Sequence, residues 1–200
     1  MPLRVIERFL IERADFITSA LDKFSSSEAY SFDYNDGDKL MMLGREYRVK
    51  NEISSGNRAM ILNDHGAIIY TADNSPRSRR KAVMKLYERI CESEIMPICN
   101  EVFECLKSVY PKMPEVNFRK AKSRWGSCYS TKNKIVLNKL LAAVPRECIT
   151  YVIYHEFIHF LHPNHSPRFY ESLGKYLPEH RVLKKMLNDY SYILEFPSER

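Results

Sequence analysis

Two hundred residues, 44% hydrophobic and 28% charged, describe a soluble globular chain long enough to bury one substantial core. No run of 18 apolar residues occurs, which excludes a helical membrane span, and the N-terminal Met-Pro-Leu-Arg-Val-Ile-Glu-Arg has no apolar signal core. Five cysteines, odd in number and without a C-x-x-C pair, fit reduced thiols in a cytoplasmic protein, and the net charge of +6 is too mild to predict a nucleic-acid partner by itself.

Residues 3 to 24 place Ile6, Phe9, Leu10, Phe16, Ile17, Ala20, Leu21 and Phe24 at helical spacing and predict one amphipathic helix. Two apolar stretches between Leu40 and Val49 flank Leu-Gly-Arg-Glu and predict a hairpin around Gly44. A second hairpin is expected between Ala59-Met-Ile-Leu and Ala67-Ile-Ile-Tyr, with His65 a surface residue of its turn. Ser75-Pro76 opens a long helix reaching about Tyr110, which Pro97 should kink or divide. The basic run Arg77, Arg79, Arg80 and Lys81 reads as the solvated start of that helix. Glu115 to Lys120 and Lys134 to Asn138 read as strands, with a turn at Ser130 to Asn133 and Trp125 packed beneath. Pro145 opens a helix over roughly 145–162 with Ile149, Val152 and Ile153 on its buried side. Two helices follow, from Ser166-Pro167 to Leu177 and over 179–190.

The chemistry concentrates in His155-Glu-Phe-Ile-His-Phe-Leu-His-Pro-Asn-His165, which holds four of the six histidines within eleven positions. An H-E-x-x-H motif places His155 and His159 on one helix face, able to share a zinc ion, with Glu156 poised as general base towards metal-activated water. On a continued helix His165 would lie roughly 9 Å further along and on another face. Pro163 should instead break the helix and turn His165 back as the third ligand, leaving one position open for water. His162 is then a supporting or surface histidine. The metzincin pattern shares this spacing but uses glycine where His162 stands, and a Cβ disfavours that turn.

Several spaced segments add a resemblance. Arg124-Trp-Gly-Ser-Cys128, Ile135-Val-Leu-Asn-Lys-Leu140 and Tyr151-Val-Ile-Tyr-His-Glu156 resemble the YgjP-like metallopeptidase domain. Asn164-His-Ser166 followed by Phe169, Leu177-Pro-Glu-His-Arg181 before Leu187, and Asp36-Gly-Asp38 with Leu43-Gly-Arg-Glu-Tyr47 fit the same family. The WLM and SprT-like zinc proteases are similar around the motif only. The resemblance implies an α+β, zincin-like fold with a small mixed or antiparallel sheet, an active-site helix and additional helices. It implies His155, His159 and His165 as ligands of one zinc ion, with Glu156 as catalytic base. Relatives begin with strands ahead of the helix that starts here near Leu3, so the chain is expected to be short at its N-terminus. Residues 1–75 would form that helix and the hairpins, and 76–200 the metallohydrolase core, packed as one compact unit.

The expected activity is peptide-bond hydrolysis through water activated by one zinc ion, a site that manganese or cobalt could also fill. Strand 134–138 could hold an extended peptide by main-chain pairing if it lies at a sheet edge. Arg124, Tyr154 and Tyr170 are candidate substrate-binding or oxyanion-stabilising residues. Two rivals stand beside this reading. The basic cluster Arg119, Lys120, Lys122 and Arg124 would suit a nucleoside triphosphate cleaved at a phosphoanhydride. It would also suit a module that binds nucleic acid or a protein partner and keeps its metal for structure.

Overall fold

The chain divides into two units, Met1–Ser31 and Phe32–Arg200. The computed structural model describes residues 30–197, so the helix predicted over 3–24 lies outside the described residues.

Within the second unit, β1 (Lys39–Met42) and β2 (Arg45–Ile53) form the hairpin expected around Gly44. Leu43 and Gly44 take φ of 49° and 78°, the left-handed pair that matches strand twist in a two-residue turn. The tip of this hairpin is stitched to the approach of the motif helix. The Leu43 and Gly44 N–H groups donate to the carbonyls of Ala142 and Ala143 at 2.8 and 3.1 Å. A Cβ on Gly44 would stand 2.7 Å from Pro145 Cγ, so the residue answers to both turn geometry and close approach.

β3 (Arg58–Ile61) and β4 (Gly66–Thr71) form the second hairpin, with exposed His65 in a turn closed by the Asn63 side chain. A parallel β2–β4 pairing joins both hairpins into one sheet of order β1-β2-β4-β3. Ser75 caps α1 (Pro76–Ile90) by accepting from Ser78 N–H at 3.2 Å. Arg79 departs from the solvated basic run expected there and is 4% exposed. Its guanidinium donates to the Asp33 carbonyl, to Asn35 Oδ1 and to Asn74, tying the entry to β1 onto the helix start. The long element is divided just ahead of Pro97, as expected. A π turn over Cys91–Ile95 precedes α2 (Met96–Leu106), and this wider turn accommodates a ring that would crowd an ordinary i−4 carbonyl.

The second sheet corrects the expected strand layout. β5 (Glu115–Arg119) and β7 (Lys134–Asn138) pair in parallel, and an unforeseen strand, β6 (Gly126–Tyr129), forms the hairpin with β7. The order β5-β7-β6 makes strand 134–138 central, so its main chain is already paired on both sides. β6 is the edge strand that lies against the motif helix. Buried Asn138 organises the loop into β6, donating to the carbonyls of Ala121 and Arg124 at 2.8 Å each and accepting from Leu140 N–H.

The motif helix α3 (Arg146–Ile158) is buried on nearly every face, well beyond the single stripe of Ile149, Val152 and Ile153. α4 (Pro167–Tyr176) and α5 (His180–Asp189) pack against it and complete an α+β architecture with two small mixed sheets. No described helix is long and apolar enough to cross a membrane. Gly44→Ala should lower unfolding free energy by about 2–4 kcal/mol, through left-handed strain and the collision with Pro145. Denaturant midpoints of the two proteins check this.

Candidate metal centre

α3 ends at Ile158, sooner than the expected 162, and His159 is its C-cap. The last turn tightens through i−3 bonds from Phe160 and Leu161 N–H, at 3.1 and 3.0 Å, before the chain reaches Pro163. The turn brings His165 back, with its Nε2 3.0 Å from His155 Nε2. One nitrogen each from His155, His159 and His165 lies within 4.8 Å of the others. His159 Nδ1 donates to the His162 carbonyl at 3.1 Å, which leaves its Nε2 with the lone pair. His162 therefore supports the cluster through its main chain, while its ring meets Ser172 Oγ on α4 at 2.9 Å.

The electrostatics suit a cation. Burial, then His159, His165 and Lys184, hold the His155 imidazole down to about 3. Burial also lowers His159, against the opposing pull of the His162 carbonyl. Both rings are thus neutral near pH 7, the form that ligates. Three convergent imidazoles fit a zinc-type ion by number and donor type.

Glu156 stands next to His155, about 100° round α3, and is 6% exposed. Burial pushes its carboxyl up to about 7, while the Cys128 backbone N–H and the Arg124 cation pull the other way. β6 lies flat against this side chain. A Cβ at Gly126 would stand 2.6 Å from Glu156 Oε1 and 2.7 Å from its Cγ, so only glycine lets the strand approach so closely. Three of the five thiols are poorly fitted to act as a rival nucleophile. Burial pushes Cys91, Cys99 and Cys128 up to about 12, far from the thiolate form.

The remaining sequence candidates divide. Tyr170 stacks on His165 with ring centroids 6.2 Å apart, and on His180 at 6.3 Å. Arg124 lies exposed at the start of β6, with its guanidinium 3.3 Å from Ser127 Oγ. Tyr154 is committed elsewhere: its ring stacks on Tyr176 and its hydroxyl pairs with Cys105 of α2. The basic cluster does not converge. Lys120 caps the Pro197 carbonyl and lies over the Phe196 ring, while Arg119 and Lys122 are exposed. Sequence reasoning passed over three neighbours of the centre: Gly126, Phe169 and Tyr151. A glycine between Trp125 and Ser127 was the one available signal, because glycine inside a strand marks close approach. Buried Tyr151 is pushed up to about 12 by burial, then by Tyr170 and Glu156.

The model of the YgjP-like metallopeptidase domain matches residues 1–190. The chain belongs to that family. Two solved structures are similar to part of this YgjP-like protein. The metallopeptidase zymogen of Methanocaldococcus jannaschii jannalysin is 23% identical, over 49% of this chain and 97% of its own, with a TM-score of 0.44. The metallopeptidase zymogen of Pyrococcus abyssi abylysin is 20% identical, over 46% of this chain and 95% of its own, with a TM-score of 0.40. No curated protein matches the sequence.

Gly126→Ala should cut hydrolytic turnover about 100-fold by displacing the Glu156 carboxyl, while the histidine cluster keeps its metal. Turnover measured beside metal content on the same preparation separates the two effects.

Proposed function

We propose that this YgjP-like protein is a zinc-dependent peptidase in which His155, His159 and His165 hold one ion and Glu156 is the general base. Residues 76–200 would carry the catalytic core. The observation that carries the reading is a buried carboxyl with proton affinity near neutrality, on the residue next to a cluster of three convergent imidazoles. Zinc held by such a cluster supplies a Lewis acid that polarises a carbonyl and acidifies water.

The protein's own groups account for the rest. Glu156 takes a proton from the attacking water and returns it to the departing amine, a cycle served best by a carboxyl that titrates near the working pH. The β6 main chain and Gly126 fix where that carboxyl stands. An extended peptide would pair with β6, an edge strand, in the role first considered for strand 134–138. Tyr170, stacked between His165 and His180, would donate its hydroxyl to the developing oxyanion. Arg124, at the rim beside Glu156, would contact the substrate chain. The scatter of Arg119, Lys120 and Lys122 favours a peptide over a nucleoside triphosphate or nucleic acid, because a phosphate cradle needs converging cations.

Wild-type protein should hold about one zinc per chain and cleave unfolded protein, and a chelator should abolish cleavage until zinc is restored. Glu156→Gln should keep the metal and lose at least about 100-fold in rate, whereas His159→Ala should lose both. Metal analysis with parallel assays on unfolded protein, nucleoside triphosphates and DNA-bound protein decides between the readings. Full activity in Glu156→Gln, or cleavage of the triphosphate alone, would overturn this one.

A further inference from the structure

Phe169 stands in the first turn of α4, just past the Ser166 N-cap, and is fully buried. Its ring centroid lies 5.0 Å from that of His155, 4.7 Å from His159 and 4.8 Å from His165. One phenyl ring therefore packs against all three imidazoles. Ligating histidines are ordinarily oriented by a hydrogen bond from the second ring nitrogen. Among the described residues, His159 has such a bond, to the His162 carbonyl. His155 Nδ1 is buried with no hydrogen-bond partner. The hydrogen bond found for the His165 ring runs to His155 itself, so it orients the pair without anchoring either ring.

We infer that Phe169 is the positioning residue of the metal centre, an apolar pedestal whose packing replaces the missing hydrogen bond of His155 and steadies the exposed ring of His165. The inference rests on the reading of the three histidines as metal ligands. A rotation of the His155 imidazole about Cβ–Cγ would drive its edge into the phenyl ring, where close packing leaves no void to receive it, and the exposed His165 ring is steadied by its contact with the same phenyl. The rings are thereby held converged before an ion arrives, so binding need not order them. A phenyl ring is well suited to this, because it offers no donor that could compete for the ion and no proton that could titrate. It also keeps water from the buried side of the cluster.

The test compares zinc dissociation constants, by competition with a chromophoric chelator, for wild type, Phe169→Leu, Leu173→Ala and His159→Ala. Leu173 is equally buried one turn further along the same helix and carries no ring, so it reports ordinary loss of core packing. Phe169→Leu should weaken zinc binding about 10–100-fold, in the range seen when outer partners of ligating histidines are lost. The visible absorption of the cobalt-loaded protein should change with it. Leu173→Ala should lower the melting temperature comparably yet leave zinc affinity within about threefold. Zinc binding in Phe169→Leu that matches wild type, or an equal loss in Leu173→Ala, would overturn the pedestal. Wild-type binding no tighter than that of His159→Ala would overturn the metal reading and the pedestal together.

Discussion

Ionisable groups carried on a helix that the fold buries on nearly every side set the problem this structure solves. His155 and Glu156 are neighbours on α3, and a charge on either would be costly in that interior. The imidazole meets the constraint by staying neutral, which is also what a metal ligand requires. The carboxyl meets it by holding its proton more tightly and by lying against the β6 main chain, where the Cys128 N–H offers compensation. Burial thus gives each group the protonation behaviour that the proposed chemistry needs. The same residues on an exposed helix would titrate at ordinary values and be poorly fitted to it.

Burial also demands close neighbours, and the two sides of α3 recruit different kinds. On the Glu156 side the neighbour is polar backbone, admitted by the absence of a side chain at Gly126. On the histidine side it is an apolar ring, Phe169, against which the three imidazoles pack at nearly equal distances. Main chain can bond a carboxyl without competing for its proton. A phenyl ring can hold imidazoles without occupying their lone pairs. Each neighbour is matched to what its client must leave unspent.

Much of this was legible in the sequence, for identifiable reasons. The H-E-x-x-H spacing and Pro163 announce the three histidines because both signals are local: helical periodicity places two, and a missing backbone N–H returns the third. The hairpin at Gly44 and the capped start at Ser75-Pro76 are legible on the same ground. Long-range pairing was not. β5 and β7 read as successive strands, yet they pair in parallel with β6 inserted at the edge, because register across a sheet depends on partners distant in sequence. Arg79 looked like one more solvated charge beside Arg77, and only the folded chain supplies the carbonyls that its guanidinium binds. Tyr154 carried the opposite error, since a polar tip next to the motif drew attention while its ring was needed against Tyr176.

A helix keeps two rigid-body freedoms, rotation about its axis and sliding along it, and either would spoil the convergence of His165 on the other histidines. Contacts from three separate regions remove them. The Gly44 turn abuts Pro145 and holds the carbonyls of Ala142 and Ala143, fixing where α3 begins. β6, pressed on Glu156, fixes its rotation, because turning the helix would drive the carboxyl into the strand or leave it buried without the Cys128 N–H. The His162 carbonyl on His159 and the Ser172 bond to the His162 ring fix its end against α4. Residues 39–53, which carry no proposed chemistry, thereby bear on the metal centre as directly as the motif itself. The four-residue spacing of His155 and His159 has chemical meaning only because these distant contacts decide where both point.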